Sequence, residues 1–77
     1  MSTYTFTIVI EPDEDVYHAY APALKGCHTF GKTIDEARTF LAEAIELHLE
    51  GLVEIGEEIP IEKAPFFVSQ LSIPMAA

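Results

Sequence analysis

Basic side chains are scarce in this 77-residue chain: Lys25, Lys32, Arg38 and Lys63 stand against thirteen acidic residues, for a formal net charge of -9. A surface of that sign repels a phosphate backbone and an anionic membrane, and it speeds encounter with a basic protein. Direct nucleic-acid binding and membrane binding are therefore not expected. Cysteine is nearly absent as well. Cys27 stands alone, which rules out an internal disulfide and suits a reducing cytoplasm. Apolar runs extend only a few residues, far short of the ~20 needed to cross a bilayer. The first residues run straight into strand-like alternation without a basic stretch and apolar core, so no secretory leader is expected.

A chain this short forms one domain, residues 1–77, and buries only about 60 to 65% of its unfolded surface. With no disulfide and no recognisable metal-ligand spacing to reinforce it, association is the remaining source of stability. A homo-oligomer, dimer or tetramer, or a complex with another protein is expected.

Tyr4, Phe6, Ile8 and Ile10 alternate with Thr5, Thr7 and Val9, a period of two rich in β-branched and aromatic residues, which predicts a strand with its more apolar side toward the core. Pro12 to Asp15 reads as a turn, and Val16 to Ala21 as the returning strand of an antiparallel hairpin. Both sides of that second strand are partly apolar, so its facing stays open. A second turn over Pro22 to Gly26 leads to a short third strand, Cys27 to Lys32.

Thr33 and Glu36 form a capping box: the hydroxyl accepts the amide three residues on, and the carboxylate is expected to accept the Thr33 amide. Ile34, Ala37, Leu41, Ala44, Ile45, His48 and Leu52 then recur at helical spacing. Glu43, Glu46, Glu50 and Glu54 fill a polar face. The helix should run from Ile34 to Ile55 and stop at Gly56, with Gly51 permitting an earlier end. Phe66 to Ile73 has strand character, closed by Pro74. A right-handed crossover would lay it parallel to the first strand. The expected fold is thus α+β, in the order β-β-β-α-β: a single mixed four-stranded sheet, order 3-2-1-4, with one helix on one face. That arrangement looks like a partial ribonuclease H topology.

Such a topology raises a nuclease hypothesis, which needs several carboxylates converging on metal ions. The first strand carries no interior acid; Glu11 lies at its end, and the helix acids recur at solvent-face spacing. A degenerate nuclease is the last of the alternatives. Cys27 and His28 are neighbours and point to opposite faces of a strand, so they can neither share a metal nor act as a nucleophile and base pair. Gly26 and Gly31 are isolated and read as turn residues rather than a phosphate loop. His48 sits among apolar helix positions and reads as a packed or helix-terminal histidine. No cofactor, metal site or catalytic residue is expected.

From Tyr20 to Ala37 the chain places Tyr20, Pro22, Leu24, Gly26, Cys27, His28, Gly31, Thr33, Glu36 and Ala37 at fixed spacing. This run is similar to the signature of the HicB-like antitoxins: strand, Pro-x-Leu-x-Gly-Cys, short strand, then Thr-x-x-Glu-Ala opening a helix. Tyr4 to Pro12 and Glu43 to Gly56 fit the same pattern, so roughly the first sixty residues are covered. The resemblance implies a non-enzymatic protein that blocks a small basic HicA-like RNA-cleaving toxin by complex formation. Many family members add a C-terminal helix-turn-helix or ribbon-helix-helix domain for operator DNA. This chain ends at Ala77 with no such segment and is expected to be a short form. An orphan homo-oligomeric binding protein of the same fold is the alternative. From their place in the signature, Tyr20, Pro22, Leu24 and His28 are the candidate partner-binding residues, with Thr5 and Thr7 on the open sheet face.

Overall fold

The structure, a computed structural model, describes residues 3–62 and 67–76. Its elements are β1 (Val9–Asp13), β2 (Val16–Tyr20), β3 (His28–Gly31) and α1 (Ile34–Glu54). The strands form an antiparallel sheet in the order β1-β2-β3, and α1 packs on one face of it.

The hairpin differs from expectation at both ends of β1. Pro12 and Asp13 belong to the strand, opposite Tyr17 and Val16, and the turn contracts to Glu14 and Asp15. Glu14 takes the left-handed φ of +56°. Proline is tolerated there because β1 is an edge strand, where a missing amide hydrogen can face outward. At the other end, residues 4–8 are not in a strand, although Phe6, Ile8 and Ile10 pack against the core as their alternation requires. The cause lies in the partner: β2 ends at Tyr20, opposite Val9, and the chain then folds into a turn. In that turn the Leu24 amide donates to Ala21, Cys27 donates to Leu24 and Ala21 donates to Cys27. Residues 4–8 therefore have no backbone from β2 to pair with.

The core settles which side of β2 faces inward. Ala19 and Ala21 are buried with Leu24, Cys27, Ala37 and Leu41, and Tyr17 packs beside them. His18 and Tyr20 consequently point to the opposite, open face. Small residues at Ala19, Gly31 and Ala37 let sheet and helix approach closely, which is how so few residues close a core.

The helix is capped at both ends. Thr33 accepts the Glu36 amide at 3.0 Å, and the Glu36 carboxylate accepts the amide of Lys32 at 3.0 Å rather than that of Thr33. Gly51 is carried through the helix without a break. Gly56, at φ +77°, ends it in a Schellman arrangement, with Gly56 donating to Val53 at 3.1 Å and Glu57 donating to Leu52 at 2.9 Å.

The fourth strand is not found among the described residues, so the sheet is three-stranded and antiparallel rather than four-stranded and mixed. Phe66 lies outside the described residues. Residues 67–73 have no regular secondary structure and are exposed throughout. Among the described residues, none supplies the β1 edge with a backbone partner. No helix among the described residues is long and apolar enough to cross a membrane.

Candidate functional site

Antiparallel register sets the composition of the open face. His18 lies opposite Glu11 on one side and Phe30 on the other, and Tyr20 lies opposite His28. Cross-strand neighbours on one face are close enough for their side chains to touch. The result is a contiguous aromatic cluster. His18 stacks on Phe30 with ring centroids 4.8 Å apart and on Tyr20 at 5.3 Å, while His28 meets both His18 and Phe30 edge-on.

Polar contacts cross the same cluster. His18 Nε2 and His28 Nδ1 are 3.4 Å apart, and Glu11 Oε1 lies 3.6 Å from His18 Nδ1. One histidine must hold the shared proton for the first contact to be a hydrogen bond, so the two rings are linked in their tautomers. Among the described residues no group of three or more His, Cys, Asp or Glu side chains could hold a metal ion. Glu43, Glu46, Glu50 and Glu54 are exposed along the helix.

Beside the cluster, the Ala21–Cys27 turn forms a shallow groove of about 380 Å³, bordered by Tyr20, Pro22, Lys25 and His28. Phe30 is 45% exposed, and Pro22 and His28 are exposed as well. An exposed aromatic surface with few rotatable bonds and polar tips is well suited to protein recognition.

The candidate residues thus divide. Tyr20, Pro22 and His28 come together at the groove. Leu24 underlies it but is 2% exposed, so it holds the turn from within and presents little surface. Thr5 and Thr7 belong to the segment before β1, away from the cluster. Thr5 borders a depression with Phe6, Arg38 and Ile45, and Thr7 bonds Glu62 through its amide, with its hydroxyl donating to the same carboxylate at 3.0 Å. The cluster also contains Glu11, His18 and Phe30, which reading the strands singly does not bring together. Pairing them outward from the Ala21–Cys27 turn would have done so.

Cys27 faces the core at 6% exposure, and burial pushes its thiol above the ordinary value of 9.0. Its folded-state pKa is therefore higher than its unfolded one, so this group contributes stability at lower pH that is lost as pH rises above about 9. Alkylation by iodoacetamide at pH 8 should be at least about tenfold slower in the native chain than in urea, because the native thiolate is scarce and shielded. Equal rates would mean that the turn opens readily.

Comparison with known proteins follows this geometry. Residues 6–71 match the family model described as HicB-like antitoxin of bacterial toxin-antitoxin system. A UPF0150 protein of Synechocystis is 45% identical over 71 residues, covering 91% of this chain and 87% of the relative. A UPF0150 protein of Archaeoglobus fulgidus is 50% identical over 60 residues, covering 74% and 87%. One from Helicobacter pylori is 41% identical over 68 residues, covering 88% and 93%.

Proposed function

Because this chain belongs to the HicB-like antitoxin family, we propose that it works without catalysis, by binding a small basic HicA-like RNA-cleaving protein and blocking it. The observation that carries this reading is the uncovered aromatic cluster on the open sheet face, continuous with the groove at Tyr20, Pro22 and His28. A helix covers the other face; among the described residues this one has no cover.

The net charge of -9 supports a basic partner. A protein that binds RNA carries positive surface, and opposite fields raise the rate of encounter and penalise acidic competitors. Inhibition is then steric: the complex occupies surface that RNA would need, and no bond is made or broken by this chain. The setting is the cytoplasm, where Cys27 stays reduced, and residues 1–77 act as one unit.

The test is an RNA-cleavage assay with a HicA-like protein from the same genome. Adding this chain at equal concentration should suppress cleavage, and the chain alone should leave RNA intact. Undiminished cleavage at saturating antitoxin contradicts the reading. Cleavage by the chain alone, dependent on magnesium and lost on substituting Glu11 or Glu43, would revive the nuclease alternative. The second reading, an oligomeric binding protein without a toxin, is favoured by a different observation: the exposed apolar segment after residue 66.

A further inference from the structure

Residues 67–76 carry five large apolar side chains into solvent. Phe67 is 91% exposed, Leu71 87% and Met75 85%, and Val68 and Ile73 are exposed with them. Surface of this kind in one short segment marks an interaction site. The segment also stretches the molecule: its radius of gyration is 15.5 Å and its longest dimension 56 Å, against the roughly 11–12 Å radius of a compact domain of this size.

Its sequence is that of a half-buried strand. Phe67, Leu71 and Ile73 fall on one side, with Val68, Gln70 and Ser72 on the other. Among the described residues the sheet ends in a bare edge, since β1 pairs only with β2. An unpaired edge is a template for another strand. The chain passes close to that edge: Glu62 binds the amide and hydroxyl of Thr7, just before β1. An apolar depression of about 400 Å³ lies along the C-terminal half of α1, between Tyr4, Leu49, Val53 and Ile59 and rimmed by Glu46, Glu50 and Glu54.

We propose that residues 67–73 pair as a fourth strand with the β1 edge of a second copy of this chain, which returns its own segment in exchange, closing a two-fold homodimer. Charge selects the occupant. No residue from 67 to 77 is charged, while the whole chain carries -9. A basic protein would be met by acidic side chains, which this segment lacks; two identical acidic copies approach best through a neutral surface. Reciprocal exchange gives both bare edges a backbone partner and covers both apolar arms with one symmetric contact. It also completes a four-stranded sheet, with the last strand supplied in trans. The proposal is independent of the toxin-binding reading, which concerns the groove at Tyr20 and His28.

The experiment compares the full chain with Leu71→Asp and Ile73→Asp variants by sedimentation equilibrium, with amide hydrogen exchange over residues 67–73. Circular dichroism confirms that the helix is retained. The full chain should be a dimer with those amides protected. Each variant should remain folded, lose the protection and dissociate at least about 100-fold more readily, as expected when an interface anchor is replaced by a charge. A dimer unaffected by either variant overturns the proposal. So does a monomer whose residues 67–73 are protected, in which the strand closes on its own sheet. A monomer that protects these residues only after a HicA-like protein is added overturns it too, assigning the arm to that partner.

Discussion

Replacing Gly31 with valine is expected to lower the melting temperature of the domain by more than about 10 °C. A Cβ at this position would lie 2.7 Å from Ala37 Cα and 2.9 Å from the Glu36 carbonyl carbon, and closer still to the Ala37 amide nitrogen. All three are backbone atoms, so no flexible side chain can swing away. Neither element is free to yield. Gly31 is held in register opposite Tyr17, and the start of α1 is fixed by the Thr33 cap and the buried Ala37. Inserting bulk into such a contact costs about 1–3 kcal/mol and occasionally more, and valine brings two methyl groups beyond the Cβ. A chain of this length has a total stability of only roughly 4–11 kcal/mol. Each kcal/mol lost moves the melting temperature by about 4–8 °C; at the upper end of that cost, about 3 kcal/mol, a drop of roughly 12–24 °C is the expected reading in a thermal melt. Gly51→Ala is the control: nothing lies within 4 Å of a Cβ there. That substitution should stabilise the helix by up to ~1 kcal/mol. A Gly31→Val chain that melts like the parent would show that strand and helix do not approach as described.

Tyr20→Ala should cost the largest share of affinity for a HicA-like partner while leaving the fold in place. Tyr20 points to the open face, stacks against His18 and borders the groove, so its ring is available to a partner and its loss leaves no hole in the core. Interface tyrosines at the centre of a patch are worth about 2 kcal/mol or more, or roughly 30-fold in dissociation constant. His28→Ala should act in the same direction, and less than additively with Tyr20→Ala if the cluster binds as a unit, since the first loss already breaks it. Competition binding with each variant, alongside circular dichroism, separates lost contact from lost structure. Unchanged affinity in the folded double variant would move the interface elsewhere, with the exposed glutamates of α1 the next surface to test.

How much could be read from the chain depended on whether a signal was local. The helix was legible because Thr33, Glu36 and Gly56 mark its ends with side-chain and backbone chemistry confined to a few residues. The second and third strands were legible for the same reason, bracketed by a compact turn. β1 was misplaced because alternation from Tyr4 to Ile10 reports which side faces the core and says nothing about where a partner backbone ends; Tyr20 sets that limit. The segment after Phe66 has a strand's alternation but no partner within the described residues, and pairing is a property of two segments. The open-face cluster failed to emerge for a related reason. His18, Tyr20, His28 and Phe30 become neighbours only through register, and neither strand alone suggests them.

Calorimetric titration of the full chain with a HicA-like protein from the same genome bears most directly on the claim that the uncovered sheet face is a docking surface for a basic partner. The account predicts saturable binding that weakens as salt is raised, since opposite fields are screened over about 10 Å at 0.1 M, and that is diminished by Tyr20→Ala. Absence of binding at low salt, or binding indifferent to both salt and Tyr20, would contradict it.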